Sequence, residues 1–262
     1  MRNLRCVNAL LLCSLVGLST HAAVAQPGNL VRDAYGGIIR GDVSQKKLAL
    51  IFTGDEYGDG TASILDTLKE RKIAGGLFVT GKFVDNPKFR PLVKRAIDEG
   101  HYVGPHSDQH LLYASWDNRD KSLVTQREFT RDLMANIGKL HKVGALSGKG
   151  TMLFIPPYEH FNRDQVKWSQ PLGVTLFNFT PGSGSNRDYI PESDPHFPSS
   201  QKIYDDILAY EQKDPHGLNG FILLTHLGSQ RKDGFHTRLG ALCDELTKRG
   251  YQFVRVDRLL AK

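Results

Sequence analysis

The sequence predicts a single α/β domain, a (β/α) barrel of about seven parallel strands, with a doubly wound sheet as the competing arrangement. Three observations predict it. Short apolar runs alternate with helical patterns from residue 48 onward, as β/α units do. No linker, internal repeat or low-complexity stretch divides the 262 residues. Polar clusters recur just after the apolar runs, where a barrel places its functional residues, and this favours the barrel over the open sheet.

The elements follow in order. Residues 48–53 (LALIFT) read as a buried strand. Residues 61–71 carry Ile64, Leu65 and Leu68 at helical spacing, with Thr61 as the expected N-cap. A strand over 74–80 and a helix over 91–99 come next, the helix ended by Gly100. A short strand covers 101–104. Thr125 and Glu128 form a capping box for a helix reaching about His141, whose apolar members include Phe129, Leu133, Ile137 and Leu140. A strand over 152–155 is halted by Pro156-Pro157. Helices over 162–169, 200–211 and 236–249 then alternate with strands over 174–179, 221–225 and 252–256.

The first 25 residues stand outside that domain. Arg2 and Arg5 precede an apolar stretch, and Ala23-Val24-Ala25 supplies the small residues a signal peptidase cleaves after. The stretch is short for a membrane span. We therefore expect a secretory signal over 1–25, an N-terminal segment over 26–47 and the catalytic domain over 48–262, in a secreted or periplasmic protein with no stable membrane anchor. Losing the leader removes two arginines and no acid, so the formal charge of +6 falls to +4. No Lys/Arg block tracks a phosphate backbone, which argues against a nucleic-acid partner. Cys6 and Cys13 leave with the leader, and Cys243 alone cannot form an internal disulfide. In LGALCDELTKRG it falls on the apolar side of a helix and reads as a small buried hydrophobe.

Four clusters sit just past strands: Thr53-Gly54-Asp55-Glu56, His106-Ser107-Asp108-Gln109-His110, Phe154-Ile155-Pro156-Pro157-Tyr158-Glu159, and Thr225-His226. Each has a plain reading on its own: an acidic turn, surface histidines, a prolyl turn, a structural histidine. Together they converge on one mouth if the strands are parallel. Two histidines and one carboxylate form a facial triad that leaves coordination positions open for water and substrate. The spare carboxylate can serve as general base and His226 as general acid. The double proline stiffens the backbone at Tyr158, which suits either a structural turn or an N–H aimed at an oxyanion.

TGDE, HSDQH, FIPPY and LLTH occur in the order of the motifs of the NodB-homology polysaccharide deacetylases, carbohydrate esterase family four, and the chain resembles that family from about Leu48 to its C-terminus. The resemblance implies a distorted (β/α) barrel and one divalent metal ion, most often zinc. It implies a metal-dependent hydrolase that removes acetyl groups from N- or O-acetylated carbohydrate. Position by position it makes Asp55 the catalytic base, Glu56, His106 and His110 the metal ligands, the Tyr158 N–H an oxyanion donor and His226 the catalytic acid. The chain also departs from the pattern. Gly54 stands for the usual Phe, Glu56 for a metal-binding Asp, Ile155 for a common Arg and Glu159 for a common Gly. The later Asp-Trp motif has no clean equivalent, residues 178–186 (NFTPGSGSN) lying about where it would fall. The altered TGDE and the missing Arg motivate an alternative, a non-catalytic glycan-binding protein on the same barrel; Tyr57, Trp116, Tyr158 and Phe161 could stack on sugar rings under either reading. A third reading is a metallohydrolase of cyclic amides or imides on a similar barrel.

Overall fold

The computed structural model describes residues 30–146 and 152–261. The expected leader lies outside the described residues. The described chain opens with β1 (Val31–Arg32) and β2 (Ile38–Arg40), a short antiparallel pair in the segment for which no element was expected. The rest runs β3 (Lys47–Gly54), α1 (Thr61–Glu70), β4 (Gly76–Val79), α2 (Gly81–Asp85), α3 (Arg90–Asp98), β5 (Tyr102–Pro105), α4 (Gln126–Lys142) and β6 (Met152–Phe154). It continues with α5 (Arg163–Ser169), β7 (Val174–Leu176), α6 (Ser200–Lys213), β8 (Phe221–His226), α7 (His236–Lys248), β9 (Gln252–Phe253) and α8 (Val256–Leu259).

Strand β3 is the centre. It pairs parallel with β4 on one side and with β8 on the other, β5 extends the sheet beyond β4, and β9 joins the start of β3. β6 and β7 form a separate parallel pair. Single backbone bonds carry the wall onward: Phe177 N–H donates to Phe154 O, Asn178 N–H to Ile38 O and Thr180 N–H to Ile222 O. The staves β3 to β9 are therefore the parallel strands of a distorted barrel whose hydrogen-bond ladder does not close. Strand β9 is shorter than the sequence suggests, because the chain turns into α8 at Val256.

Alternation along β3 decides what faces where. Leu48, Leu50 and Phe52 point outward and pack with Ile64, Leu65 and Leu68 of α1 and Leu239, Leu242 and Leu246 of α7. Ala49 and Ile51 point into the barrel, against Phe78, Ile155, Phe177, Ile222 and Leu224. Each such side chain contributes about 1.5–3 kcal/mol when fully buried, so this parity cannot slip by one residue. Cys243 is buried in the outer layer as expected, and burial pushes its thiol up to about 12. The capping box at Thr125 and Glu128 forms, whereas α1 starts differently: Gly60 holds the N-cap position and Thr61 Oγ1 donates to Leu227 O. Among the described residues no helix is long and apolar enough to cross a membrane.

Candidate active site

Parity carries directly into the site. Thr53 and Asp55 continue the inward face of Ala49 and Ile51, while Gly54 and Glu56 fall on the other side. A Cβ at Gly54 would stand 2.8 Å from Leu227 Cδ1 and 3.0 Å from the Phe83 ring, so the outward packing explains the glycine. Asp55 accepts from Thr80 Oγ1 at 2.9 Å and pairs with Lys82 Nζ at 3.1 Å. Its Oδ2 lies 3.5 Å from His110 Nδ1. Glu56 is exposed and does not join the histidines. The expected Glu56–His106–His110 triad is thus not assembled as read. Neighbouring residues at the end of an extended strand cannot both face one mouth, and Asp55 takes the inward place.

The histidine loop is held from beneath by α4. Asn136 Oδ1 accepts the His106 N–H at 3.0 Å while its Nδ2 donates to Val79 O at 3.1 Å. Asp132 accepts from the N–H groups of Asp108 and Gln109 and from the Tyr113 hydroxyl. Ser107 and His110 both adopt left-handed backbone, with φ of 71° and 57°, and Ser107 Oγ accepts the His110 N–H. These contacts place the two imidazoles side by side, ring centroids 5.0 Å apart. Burial holds both well toward their neutral forms, more completely for His106, with Asp55 partly opposing the effect at His110. Neutral imidazole is the metal-binding form.

His106 Nδ1 meets Ile155 O at 2.9 Å. A carbonyl has no proton, so Nδ1 must donate and Nε2 keeps its lone pair. Nε2 faces Glu159 Oε1 at 4.0 Å. That carboxyl, 13% exposed, is pushed up to about 7 by burial, with Asp188 adding to the effect and His226 opposing it. The chain reaches Glu159 through Pro156 and Pro157 and two left-handed residues, Tyr158 (φ 59°) and Glu159 (φ 52°). Asn178 Nδ2 donates to Glu159 O at 2.7 Å. The Tyr158 ring turns outward and rests 4.4 Å from that of His110.

On the neighbouring strand, His226 is the last residue of β8, in register with Thr53. Its Nδ1 bonds Asp188 Oδ1 at 2.6 Å, and its backbone N–H donates to Asp188 Oδ2 at 2.9 Å. Burial alone would lower the His226 pKa, but the Asp188 carboxylate and, more weakly, Glu159 outweigh it and raise it. Nδ1 is thereby engaged, and Nε2 is the ring nitrogen that Asp188 does not hold. Because His226 pairs in register with Thr53, two residues before Asp55, both groups of side chains lie at the same end of the parallel sheet. Tyr189, beside Asp188, sets its ring edge-on to His226 at 5.3 Å.

Asp188, Lys82 and Glu159 were not singled out as site residues from sequence. Lys82 lies three residues beyond the last residue of β4, another polar group past a strand end, and that signal was available. Asp188 lies two residues beyond the 178–186 stretch and belongs to no strand end, so nothing local marked it. In kind, two neutral imidazoles and nearby carboxylates suit a divalent cation. They stand as two pairs, His106 with Glu159 and His110 with Asp55, and among the described residues no three His, Cys, Asp or Glu side chains already enclose an ion.

Residues 40–177 match the family model described as polysaccharide deacetylase. The chain belongs to the polysaccharide deacetylase family. It is 32% identical over 147 residues to an uncharacterized 30.6 kDa protein of Geobacillus stearothermophilus, covering 55% of this chain and half of that relative's length. It is 28% identical over 238 residues to the peptidoglycan-N-acetylmuramic acid deacetylase PdaA of Bacillus subtilis, covering 88% of this chain and 78% of PdaA. The solved structure of Bacillus subtilis PdaA, described as a family 4 carbohydrate esterase, superposes with a TM-score of 0.65 at 24% identity, covering 86% of this chain and 85% of that one. A Bacillus anthracis protein described as a family pseudoenzyme shares the same fold with a TM-score of 0.65 at 18% identity, covering 87% of this chain and 70% of that one.

Proposed function

We propose that this chain is a metal-dependent carbohydrate deacetylase that hydrolyses an N- or O-acetyl group on a polysaccharide or oligosaccharide. The observation that carries the reading is that a hydrogen-bonded His226–Asp188 pair and a buried histidine pair with carboxylates beside it lie at the same end of one parallel sheet. His106 and His110 would hold one divalent cation, zinc for preference, which when bound supplies Lewis acidity to the acetyl carbonyl. Asp55, oriented by Thr80 and Lys82, takes the proton of the attacking water. The Tyr158 N–H, fixed in direction by the two prolines, donates to the oxyanion. His226 Nε2 protonates the departing amine or alkoxide, and Asp188 stabilises the imidazolium from which that proton comes.

Acetate release from a panel of acetylated oligosaccharides and peptidoglycan fragments, with and without chelator, tests this. Turnover that chelator abolishes and zinc restores supports it; no acetate from any substrate removes it. A glycan-binding protein without turnover is the second reading. It draws on the exposed Trp116, stacked on His160 at 3.9 Å, and on Tyr158, exposed beside His110. Oligosaccharide affinity in a protein inert toward every acetylated substrate would favour it. Secretion ahead of such activity remains part of the proposal, and leader cleavage after Ala25 is checked by N-terminal sequencing of the exported protein.

A further inference from the structure

We propose that Glu159 supplies the carboxylate of the cation site, in the role expected for Glu56. The inference rests on the cation at His106 and His110 proposed above and concerns which acid completes it. His106 Nε2 carries a lone pair, because the Ile155 carbonyl takes the Nδ1 proton. It faces Glu159 Oε1 across 4.0 Å, too far for a hydrogen bond. Once the Glu159 carboxyl is ionised, the two are acceptors facing each other in a buried space, and a cation between them would satisfy both. Two ligand atoms bonded at about 2.0–2.1 Å to one zinc ion stand somewhat closer together than this, so only a small inward shift is required.

The other carboxylates are worse placed. Asp55 already has a hydroxyl on one oxygen and the Lys82 ammonium on the other, and that fixed positive charge would repel a second cation at the same oxygen. Glu56 points to solvent. Asp188 is engaged through both oxygens by His226. Glu159 has no Lys or Arg ion-pair partner among the described residues, and the nearby Ile155 is apolar and buried.

The backbone points the same way. Tyr158 and Glu159 are consecutive non-glycine residues in the left-handed region, each costing on the order of 1 kcal/mol or more, and a glycine at 159 would relieve part of that. This chain instead holds a strained glutamate, anchored by Asn178 on its carbonyl, with its carboxylate turned into the site.

The test is titration of zinc chloride into the metal-stripped full-length protein by calorimetry, for the wild type and for Glu56→Gln, Glu159→Gln, Glu159→Gly and Asp55→Asn, with thermal melts alongside. The expected result is one zinc per wild-type chain, unchanged affinity in Glu56→Gln, and affinity lower by about tenfold or more in both Glu159 variants. Glu159→Gly should melt no lower than wild type, because it releases backbone strain, so its lost affinity cannot be assigned to misfolding. Wild-type affinity in Glu159→Gly overturns the inference while leaving the cation reading intact, and lost affinity in Asp55→Asn with retention in Glu159→Gly would assign the role to Asp55. A wild type that takes up no zinc overturns both.

Discussion

The two sides of the mouth are built on opposite electrostatic plans. On the β8 side, His226 and Asp188 satisfy each other: a raised imidazole pKa, two hydrogen bonds and a single anionic partner. On the β5 and β6 side, burial keeps His106 and His110 toward neutral, and His106 turns its lone pair toward a carboxylate. One half favours a charged imidazole, and the other favours neutral ones. The contrast teaches that burial has opposite outcomes at these histidines: a carboxylate bonded to the ring overrides it at His226, and nothing bonded so directly does at His106.

The sharpest way to break that comparison is to remove the acid. His226→Ala should lower kcat by about 10²–10⁴-fold with zinc affinity retained; a variant that keeps near wild-type kcat would show that another group protonates the leaving atom. Asp188→Asn is expected to be the next largest, with kcat down by about tenfold or more. The sign of its pH effect follows from the raised His226 pKa. The folded-state imidazolium persists above the ordinary histidine value, its stabilisation is complete below the unfolded pKa, and it is lost as pH rises through the folded one. Without Asp188, the alkaline limb of the kcat profile should therefore move to lower pH, and an unmoved limb would separate the carboxylate from proton delivery.

Asn136→Ala probes the other side. It leaves the His106 N–H and the Val79 carbonyl buried without their partner, a cost of about 1–3 kcal/mol for each such group, read as a lower midpoint in urea unfolding. It should also weaken zinc binding while leaving the alkaline limb set by His226 in place; loss of neither stability nor affinity would show that the histidine loop holds itself. The smallest effect is assigned to Glu56→Ala: stability within about 0.5 kcal/mol and kcat close to wild type, because the side chain is exposed and touches neither half. A large loss in that variant would return Glu56 to the site.

Much of this was legible from local patterning. The apolar runs at 48–53 and 221–225 read as strands because buried parallel strands are nearly continuous in Leu, Ile and Phe, and His106, His110, Asp55 and His226 stood out as polar groups following such runs. Thr125 and Glu128 announced the start of α4 because a capping box is satisfied within four residues. Other features involve partners far apart in sequence. Asp188 meets His226 across 38 residues and Asn136 meets His106 across 30, with no spacing rule to connect them. The antiparallel pair before β3 was missed because β1 and β2 are only two and three residues long.

The amino-acid order by itself determined the staves, their direction and the chemical types gathered past their ends, since hydrophobic period and strand-to-helix alternation are properties of neighbouring residues. Which of two adjacent acids turned inward was decided only by the packed structure. The inward parity of β3 is set by Ala49 and Ile51 seating against the opposite wall, and that choice carries Asp55 into the mouth and Glu56 out to water. The left-handed turn at Tyr158 and Glu159 likewise depends on two prolines and a distant asparagine acting together, and it turns toward His106 a carboxylate that the sequence showed only as the end of a prolyl turn.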